Sequence, residues 1–325
     1  METTPNTAMN TTSNSTAVEL EIDGTSTLIA ISVTTAMTLA MFPSFILNPL
    51  MLFTLRRVTS IQPTTKIYMA FLTLSDLCSS LCNLLGLVQS FAGTWFFGDF
   101  LCTAYRVTAY TLTELSSVSL VLLTLDRYIA ISHPLRYPSM MTEFRSKILV
   151  CSTWTVTIIT YILIFGVYER ATVQWYGSSQ LCVSEMNDWR AYFVLADILL
   201  PLVSIFIMYA HISLIARNQG RRIAAEAGNG QGGQRMNTRS TTTIIIITGT
   251  LIFTWIPAVI TFSVGAQNAL NRYDYYLISE FTYALFLSNS WLNVVIYYLR
   301  NRDLRQALYD LISEWRHALI QRFWP

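Results

Sequence analysis

The sequence has few charged residues, and they form no dense block of one sign. Only 12% of the 325 residues are charged, and the formal net charge is +2. The sequence has no Lys/Arg-rich stretch that could bind along a phosphate backbone, so nucleic-acid binding is excluded. The histidines His133, His211 and His317 form no HExxH motif and accompany no nucleophile constellation, so we do not expect an enzyme.

Hydrophobic residues make up 53% of the chain, and the mean hydropathy is +0.43. A helix of about twenty apolar residues crosses a hydrocarbon core about 30 Å thick. Seven runs meet this length, at approximately 28–55, 66–91, 101–131, 148–168, 189–215, 241–264 and 275–299. Since lipid offers no partners to backbone groups, each run must be helical. The sequence predicts an all-α membrane protein, a seven-transmembrane helix bundle over 28–299.

The distribution of basic residues sets the expected orientation. Of the 21 Lys and Arg residues, only Arg106, Arg170, Arg190 and Arg272 fall on the same predicted side as the N-terminus. The opposite side is then cytoplasmic by the positive-inside rule. We therefore predict a multi-pass protein of the plasma membrane with an extracellular N-terminus.

The N-terminal tail, residues 1–27, is rich in Thr, Ser and Asn and contains no signal peptide that could be cleaved. Its sequons at Asn10 and Asn14 make chemical sense only if the tail faces an exocytic lumen. We expect this tail to be extracellular and glycosylated.

The C-terminal segment, residues 300–325, has apolar residues at helical spacing, with charged residues between them. These apolar residues are Leu304, Leu308, Leu311, Ile312, Trp315, Leu319 and Phe323. The pattern predicts a short amphipathic helix 8 that lies on the inner membrane surface in contact with lipids.

Two of the five cysteines differ from the others in their surroundings. Cys102 and Cys182 fall in polar connections, whereas the other three lie in apolar runs. If those connections face the lumen, a disulfide between them can persist and would tie the third span to the second outer loop. The alternative is two free thiols.

Short motifs occur in a fixed order along the seven runs. They are Asn48 in ILNPL, Asp76 in FLTLSDL, WFFG at 95–98, Asp126-Arg127-Tyr128, Trp154, Pro201, Tyr209, Trp255 and Pro257 in FTWIP, and Asn293 with Tyr297. Together they resemble the rhodopsin-like (class A) G protein-coupled receptors. This resemblance implies a receptor that binds an extracellular small molecule or peptide and activates heterotrimeric G proteins, with arrestin as a further partner.

The resemblance also assigns a coupling switch to the cytoplasmic half. Its members are Asp126, Arg127, Tyr128, Tyr209, Trp255, Pro257, Asn293 and Tyr297. Asp126 restrains Arg127 when the receptor is off, and Arg127 faces Tyr209, Tyr297 and the G protein when it is on. Pro257 removes a backbone hydrogen bond and provides a hinge. The alternatives are an arginine that only snorkels to the interface and a proline that is merely tolerated.

A polar group in mid-membrane resembles the sodium and water pocket of the family. It contains Asp76, Ser116, Asn289 and Asn293, with Asn48 beside them. A carboxylate in an apolar helix is costly unless it is paired, protonated or bound to a cation. The alternative is that these groups only bond one another between helices. No other cofactor is expected.

The ligand is not identified by the sequence. Ala109 stands where aminergic receptors carry an aspartate, and the seventh span has no lysine for a retinal Schiff base. Glu114 and Asp197 are intramembrane acids that could share a proton or receive a cationic or hydrogen-bond-donating ligand. A purely structural acid pair is the alternative. By resemblance, these acids line the bundle mouth with Arg106, Tyr110, Thr113, Phe193, Trp255, Phe262 and Tyr283.

Two other functions fit parts of the pattern. A decoy or scavenging receptor would bind a ligand without signalling, although the Asp126-Arg127-Tyr128 motif is intact. A seven-helix transporter would show inverted repeats and broken helices, and the sequence has no internal repeat.

Overall fold

A computed structural model of the protein describes residues 11–168, 172–176, 179–183, 188–226, 249–261, 263–264 and 272–323. The helices are α1 Thr11–Arg57, α2 Pro63–Cys82, α3 Leu84–Ala92, α4 Gly98–Ser132, α5 Tyr137–Met140, α6 Glu143–Tyr161, α7 Asp188–Glu226, α8 Gly249–Thr261, α9 Arg272–Leu287, α10 Asn289–Arg300 and α11 Arg302–Phe323. A π-helical segment, Ile162–Tyr168, continues α6. Strands β1 Thr172–Tyr176 and β2 Ser179–Val183 form an antiparallel hairpin.

Five described segments are long and apolar enough to cross a membrane. They are Ile31–Arg57, Pro63–Ala92, Gly98–Ser132, Glu143–Val167 and Tyr192–Gln219. Helix α8 is a shorter apolar helix. The chain is therefore a multi-pass membrane protein with several apolar helices.

Local sequence explains several helix ends. Pro63 occupies the first turn of α2, where its missing N–H has no helical partner to lose. Thr142 precedes α6, and its side chain accepts a hydrogen bond from the Arg145 amide at 3.4 Å. Gly93 ends α3 with φ 66°, a left-handed conformation that glycine adopts without a Cβ clash.

The largest buried cluster joins nine helices of the described chain, α1, α2, α4 and α6 to α11, in the half of the bundle that contains Arg127. Leu72, Leu123, Ile205, Trp255 and Val294 represent α2, α4, α7, α8 and α10 in it. Other large apolar side chains, such as those of Leu39, Phe42 and Phe206, are exposed on the outside of the bundle. Exposed apolar residues on membrane helices are expected because lipid tails are as apolar as leucine.

Two elements differ from the sequence prediction. The all-α prediction missed the β1–β2 hairpin, in which Val173 pairs with Cys182 and Tyr176 pairs with Ser179. Helix α1 begins at Thr11, before the predicted start of the first span at Leu28, although its apolar part begins at Ile31.

Candidate functional site

The predicted disulfide is confirmed, and it holds the hairpin against the helix ends. The sulfur atoms of Cys102 and Cys182 are 2.03 Å apart, which joins α4 to β2. The Cys182 amide donates to the side-chain oxygen of Gln89 at 2.9 Å, and Arg106 donates to the Cys182 carbonyl at 3.3 Å. Strand β2 is therefore attached to both α3 and α4. Gln89 was not predicted, although a buried glutamine must find a partner.

Asp126 is the centre of a hydrogen-bonded charge cluster at the other end of α4. Its side chain is fully buried, and Arg127 lies beside it with an N–O distance of 2.7 Å. Thr65 on α2 and Tyr137 on α5 both donate to the carboxylate, each at 2.7 Å. Arg127 also donates to Thr65. A buried carboxylate is stable here because three neighbours supply donors.

Tyr137 was missed because it reaches Asp126 from a connecting segment rather than from a span. Its hydroxyl also contacts Thr64 at 2.7 Å. Burial raises the pKa of Tyr137 above its ordinary value, so the hydroxyl keeps its proton and can donate. The predicted residue Tyr128 points elsewhere, with its hydroxyl 3.0 Å from His211 Nδ1 on α7.

A cavity of about 720 Å³ opens beside this cluster. Arg127, Tyr209 and Tyr297 all line it, so the structure brings these three predicted switch residues to one place. Arg300, at the end of α10, lines it too. The Arg127 side chain is 41% exposed and is therefore accessible from the cavity. This arrangement can present a cation to a partner that enters between the helices.

Trp255 and Pro257 lie on α8, deeper in the bundle. The Trp255 side chain is almost completely buried, and its ring centroid is 5.3 Å from that of Phe286 on α9. The Pro257 carbonyl accepts a hydrogen bond from Thr261 at 2.9 Å. Trp255 thus connects α8 to α9 two residues before the proline.

Three of the four predicted sodium-pocket residues, Asp76, Ser116 and Asn289, line a small polar cavity of about 20 Å³. Asp76 Oδ1 accepts a hydrogen bond from Ser116 at 2.5 Å. Asn293 stands close enough to interact with the same carboxylate. By distance and angle, Asp76 Oδ2 and Asn289 Oδ1 have no hydrogen-bond partner among the described residues. The cavity exceeds the roughly 10–15 Å³ that one water needs, so it can hold a water or a small cation.

Asn48 is connected to this cavity by hydrogen bonds. Its amide donates to Ser44 Oγ at 2.5 Å, and Ser44 contacts Ser290 Oγ at 2.8 Å. Ser290 lines the cavity, so the asparagine is linked to it through two serines that the sequence did not single out.

Glu114 and Asp197 meet between α4 and α7. Glu114 is buried, and its carboxyl group interacts with that of Asp197. Tyr161 at the end of α6 donates to Asp197 as well. Because two adjacent buried carboxylates cannot both ionise cheaply, the pair holds at least one proton between them. Tyr161 was missed because a phenol in an apolar run gives no signal.

Most of the other predicted ligand residues lie beside the acid pair or near Tyr283, and the two places are adjacent because Tyr110 interacts with Tyr283. Tyr110 and Phe193 pack with Tyr161 and Phe165 beside the acid pair. Tyr283 on α9 donates to Asn83 at 3.1 Å and also interacts with Thr113 and Arg106.

Glu280 on α9 was missed in the sequence. It is partly buried and interacts with Arg106. The rule that singles out intramembrane acids would have found it, since it lies within the predicted seventh span.

Some predicted positions are not covered. Asn10 and Phe262 lie outside the described residues, and Asn14 lies in the first turns of α1.

Comparisons with known proteins give one family. A sequence profile described as "7 transmembrane receptor (rhodopsin family)" matches residues 22–297. The histamine H2 receptor of Rattus norvegicus is 27% identical over 263 residues, covering 79% of this chain and 71% of that receptor. Trace amine-associated receptor 5 of Mus musculus is 28% identical over 263 residues, covering 77% of this chain and 75% of that receptor. Melanocortin receptor 4 of Danio rerio is 29% identical over 199 residues, covering 61% of this chain and 56% of that receptor.

The profile matches most of the chain, and the matched region contains the disulfide, the Asp126 cluster and the polar cavity. The family consists of receptors rather than enzymes. The chain belongs to the rhodopsin family of seven-transmembrane receptors (class A G protein-coupled receptors).

Proposed function

We propose that the protein is a receptor of the plasma membrane whose bound ligand promotes nucleotide exchange on a heterotrimeric G protein, through coupling between two distant sites. The observation that carries the proposal is Arg127, held by Asp126 and Thr65 at the edge of the cavity that Tyr209 and Tyr297 also line. In the resting state the arginine is bound to its own helix and α2. When those bonds break, it can turn toward the two tyrosines and a partner.

An exposed leucine supports a partner at this end of the molecule. Leu135 follows α4 and is 96% exposed, next to the α5 segment that supplies Tyr137. A large apolar side chain on the cytoplasmic surface is a suitable anchor for an interface. Arrestin is proposed as a second partner of the same cavity.

The proposed topology has seven crossings, with α8 as the sixth and α9 with α10 as the seventh. The N-terminal tail, residues 1–27, is extracellular and carries glycans on Asn10 and Asn14. Residues 28–299 form the bundle. Residues 300–325 form the amphipathic helix 8 of the sequence prediction, which contains α11 and lies on membrane lipids. The distribution of basic residues supports this orientation.

The relatives named above are receptors for histamine, trace amines and melanocortin, and we propose an amine or a peptide as the ligand. Its cationic or hydrogen-bond-donating group would be received by Glu114 and Asp197, beside Tyr110 and Phe193. A screen of amines and peptides on cells that express the chain tests this, with Glu114→Gln and Asp197→Asn as variants. A cationic agonist that is equally potent on both variants would leave the acids with a structural role.

We also propose that a sodium ion binds at Asp76, with Ser116, Asn289 and Asn293 around it. The support is that Asp76 Oδ2 and Asn289 Oδ1 have no hydrogen-bond partner by distance and angle among the described residues, and that both residues line a cavity of about 20 Å³. Oxygen ligands of this kind suit a hard cation.

The coupling is tested by nucleotide exchange in membranes that contain G proteins, without ligand and with any ligand found. Arg127→Ala should lose the exchange that the native chain produces. Arg136→Ala is the matched control, because Arg136 is exposed on the same side of the molecule, outside the Asp126 cluster. Equal exchange by all three proteins would reject the coupling role. Ligand binding without exchange would identify a decoy receptor, and ligand flux into vesicles would identify a transporter.

A further inference from the structure

Four phenylalanines surround the turn between α3 and α4 and lie on its outer surface. Phe91, Phe96, Phe97 and Phe100 are 83%, 60%, 36% and 86% exposed. We call them the phenylalanine patch. The rings of Phe96 and Phe97 are in contact, with centroids 4.5 Å apart. An exposed cluster of large aromatic side chains marks a binding surface for a partner or a membrane.

The turn that carries the patch is a folded structure. Trp95 is buried, stacks on Tyr105 at 5.6 Å and donates its indole N–H to the Gly98 carbonyl at 3.0 Å. Gly93 and Gly98, with φ of 66° and 76°, allow the chain to close around that tryptophan. Because Trp95 occupies the inside of the turn, the neighbouring phenylalanines are directed outward.

The patch continues the lipid-facing surface of the helices below it. Leu81, Leu84, Val88 and Phe91 are all exposed and follow one another at intervals of three or four residues. Residues 77–105 contain a single charged residue, Asp99. If the turn stood in water, a belt of charged side chains would be expected between the patch and the membrane. Residues 77–105 provide no such belt.

The height of the patch fits the interfacial layer of the membrane. The part of α4 from Phe100 to Arg127 is about 40 Å long at about 1.5 Å per residue. A bilayer is about 30 Å thick across its hydrocarbon core and about 40–45 Å with its headgroups. If Arg127 lies in one headgroup layer, Phe100 lies in the opposite headgroup layer, where aromatic side chains are favoured.

We propose that the phenylalanine patch inserts into the interfacial layer of the leaflet on the disulfide side and that, through it, the bilayer holds the β1–β2 hairpin in place. Both strands are bound to the turn. The Trp95 amide donates to the Gln180 carbonyl at 2.6 Å, and the Val173 amide donates to Asp99 Oδ1 at 2.8 Å. This leaflet is the outer one in the proposed orientation, but the inference depends on neither ligand nor G protein.

Photo-crosslinking identifies what covers the patch. The full chain is made with p-benzoylphenylalanine in place of Phe96 or Phe100, reconstituted into phosphatidylcholine vesicles and irradiated. Mass spectrometry should find phospholipid adducts at both positions and none when the probe replaces Thr172, an exposed residue of β1. Crosslinks between two copies of the chain, or no adduct at either position, would overturn the proposal.

Hydrogen exchange tests the link to the hairpin. The double variant Phe96→Ser with Phe100→Ser should exchange the amides of β1 and β2 severalfold faster than the native chain in the same vesicles. The control variant, Phe144→Ser with Phe206→Ser, removes two exposed phenylalanines elsewhere and should leave the hairpin unchanged. Equal hairpin exchange in both variants would show that the bilayer does not hold the hairpin.

Discussion

Replacing Tyr137 by phenylalanine removes one hydroxyl from the Asp126 cluster and leaves the ring in place. The structure predicts that this change raises signalling without ligand. Tyr137 donates to Asp126 Oδ1, while Thr65 and Arg127 bond to Oδ2. With the hydroxyl gone, Oδ1 loses its donor, and the carboxylate that restrains Arg127 is held less firmly in its resting position.

The size of the effect follows from the bond that is lost. A hydrogen bond to a charged group contributes about 1.5–3 kcal/mol, and about 1.5 kcal/mol changes an equilibrium constant roughly tenfold. We take the lower value because Asp126 retains two other donors. If the resting state outweighs the active state about a hundredfold, the active fraction should rise about tenfold.

The assay is nucleotide exchange without ligand, divided by the amount of receptor at the cell surface. Tyr309→Phe is the matched control, because it removes the same hydroxyl from an exposed site on α11 and should change nothing. Basal exchange by Tyr137→Phe that equals or falls below the native level, at equal surface expression, would refute the reasoning.

Three further predictions concern other parts of the molecule. Asp76→Asn should abolish the increase in melting temperature that NaCl gives over equal KCl, because the proposed cation loses its carboxylate; a persisting increase would place sodium elsewhere. Cys102→Ser opens a loop of 80 residues. It should destabilise the fold by about 4–5 kcal/mol, seen as a lower melting temperature, whereas Cys151→Ser should have no effect because Cys151 is a free, exposed thiol. Leu135→Ala should reduce ligand-stimulated exchange and leave ligand binding intact, while Leu319→Ala on α11 should alter neither.

The features that were predictable from the sequence depend on length and composition. A crossing helix must be long and apolar because its backbone can find no partner in lipid, so hydropathy located the apolar segments of α1, α4 and α7. The disulfide was predictable because Cys102, near the start of α4, and Cys182, in the connection after α6, fall on the same predicted side of the membrane. Asp76, Glu114 and Asp197 were found because acids inside a membrane are rare and costly.

The features that were missed depend on contacts between distant segments. Tyr137 and Tyr161 form hydrogen bonds to acids on other helices, and neither residue type stands out in its own segment. The β1–β2 hairpin is fixed by the disulfide and by bonds to Gln89, Thr94 and Trp95, which hydropathy does not register. The rotation of each helix about its axis, which decides which side chains meet, was likewise not available from composition.

The most direct test of the receptor mechanism is the binding of a nucleotide-free heterotrimeric G protein to the purified chain in lipid nanodiscs. The native chain should form a complex that a non-hydrolysable GTP analogue dissociates, and Arg127→Ala should bind much more weakly at equal folding. If both proteins bind equally well, or if the native chain binds no G protein even with an agonist present, then Arg127 and its cavity are not the coupling site.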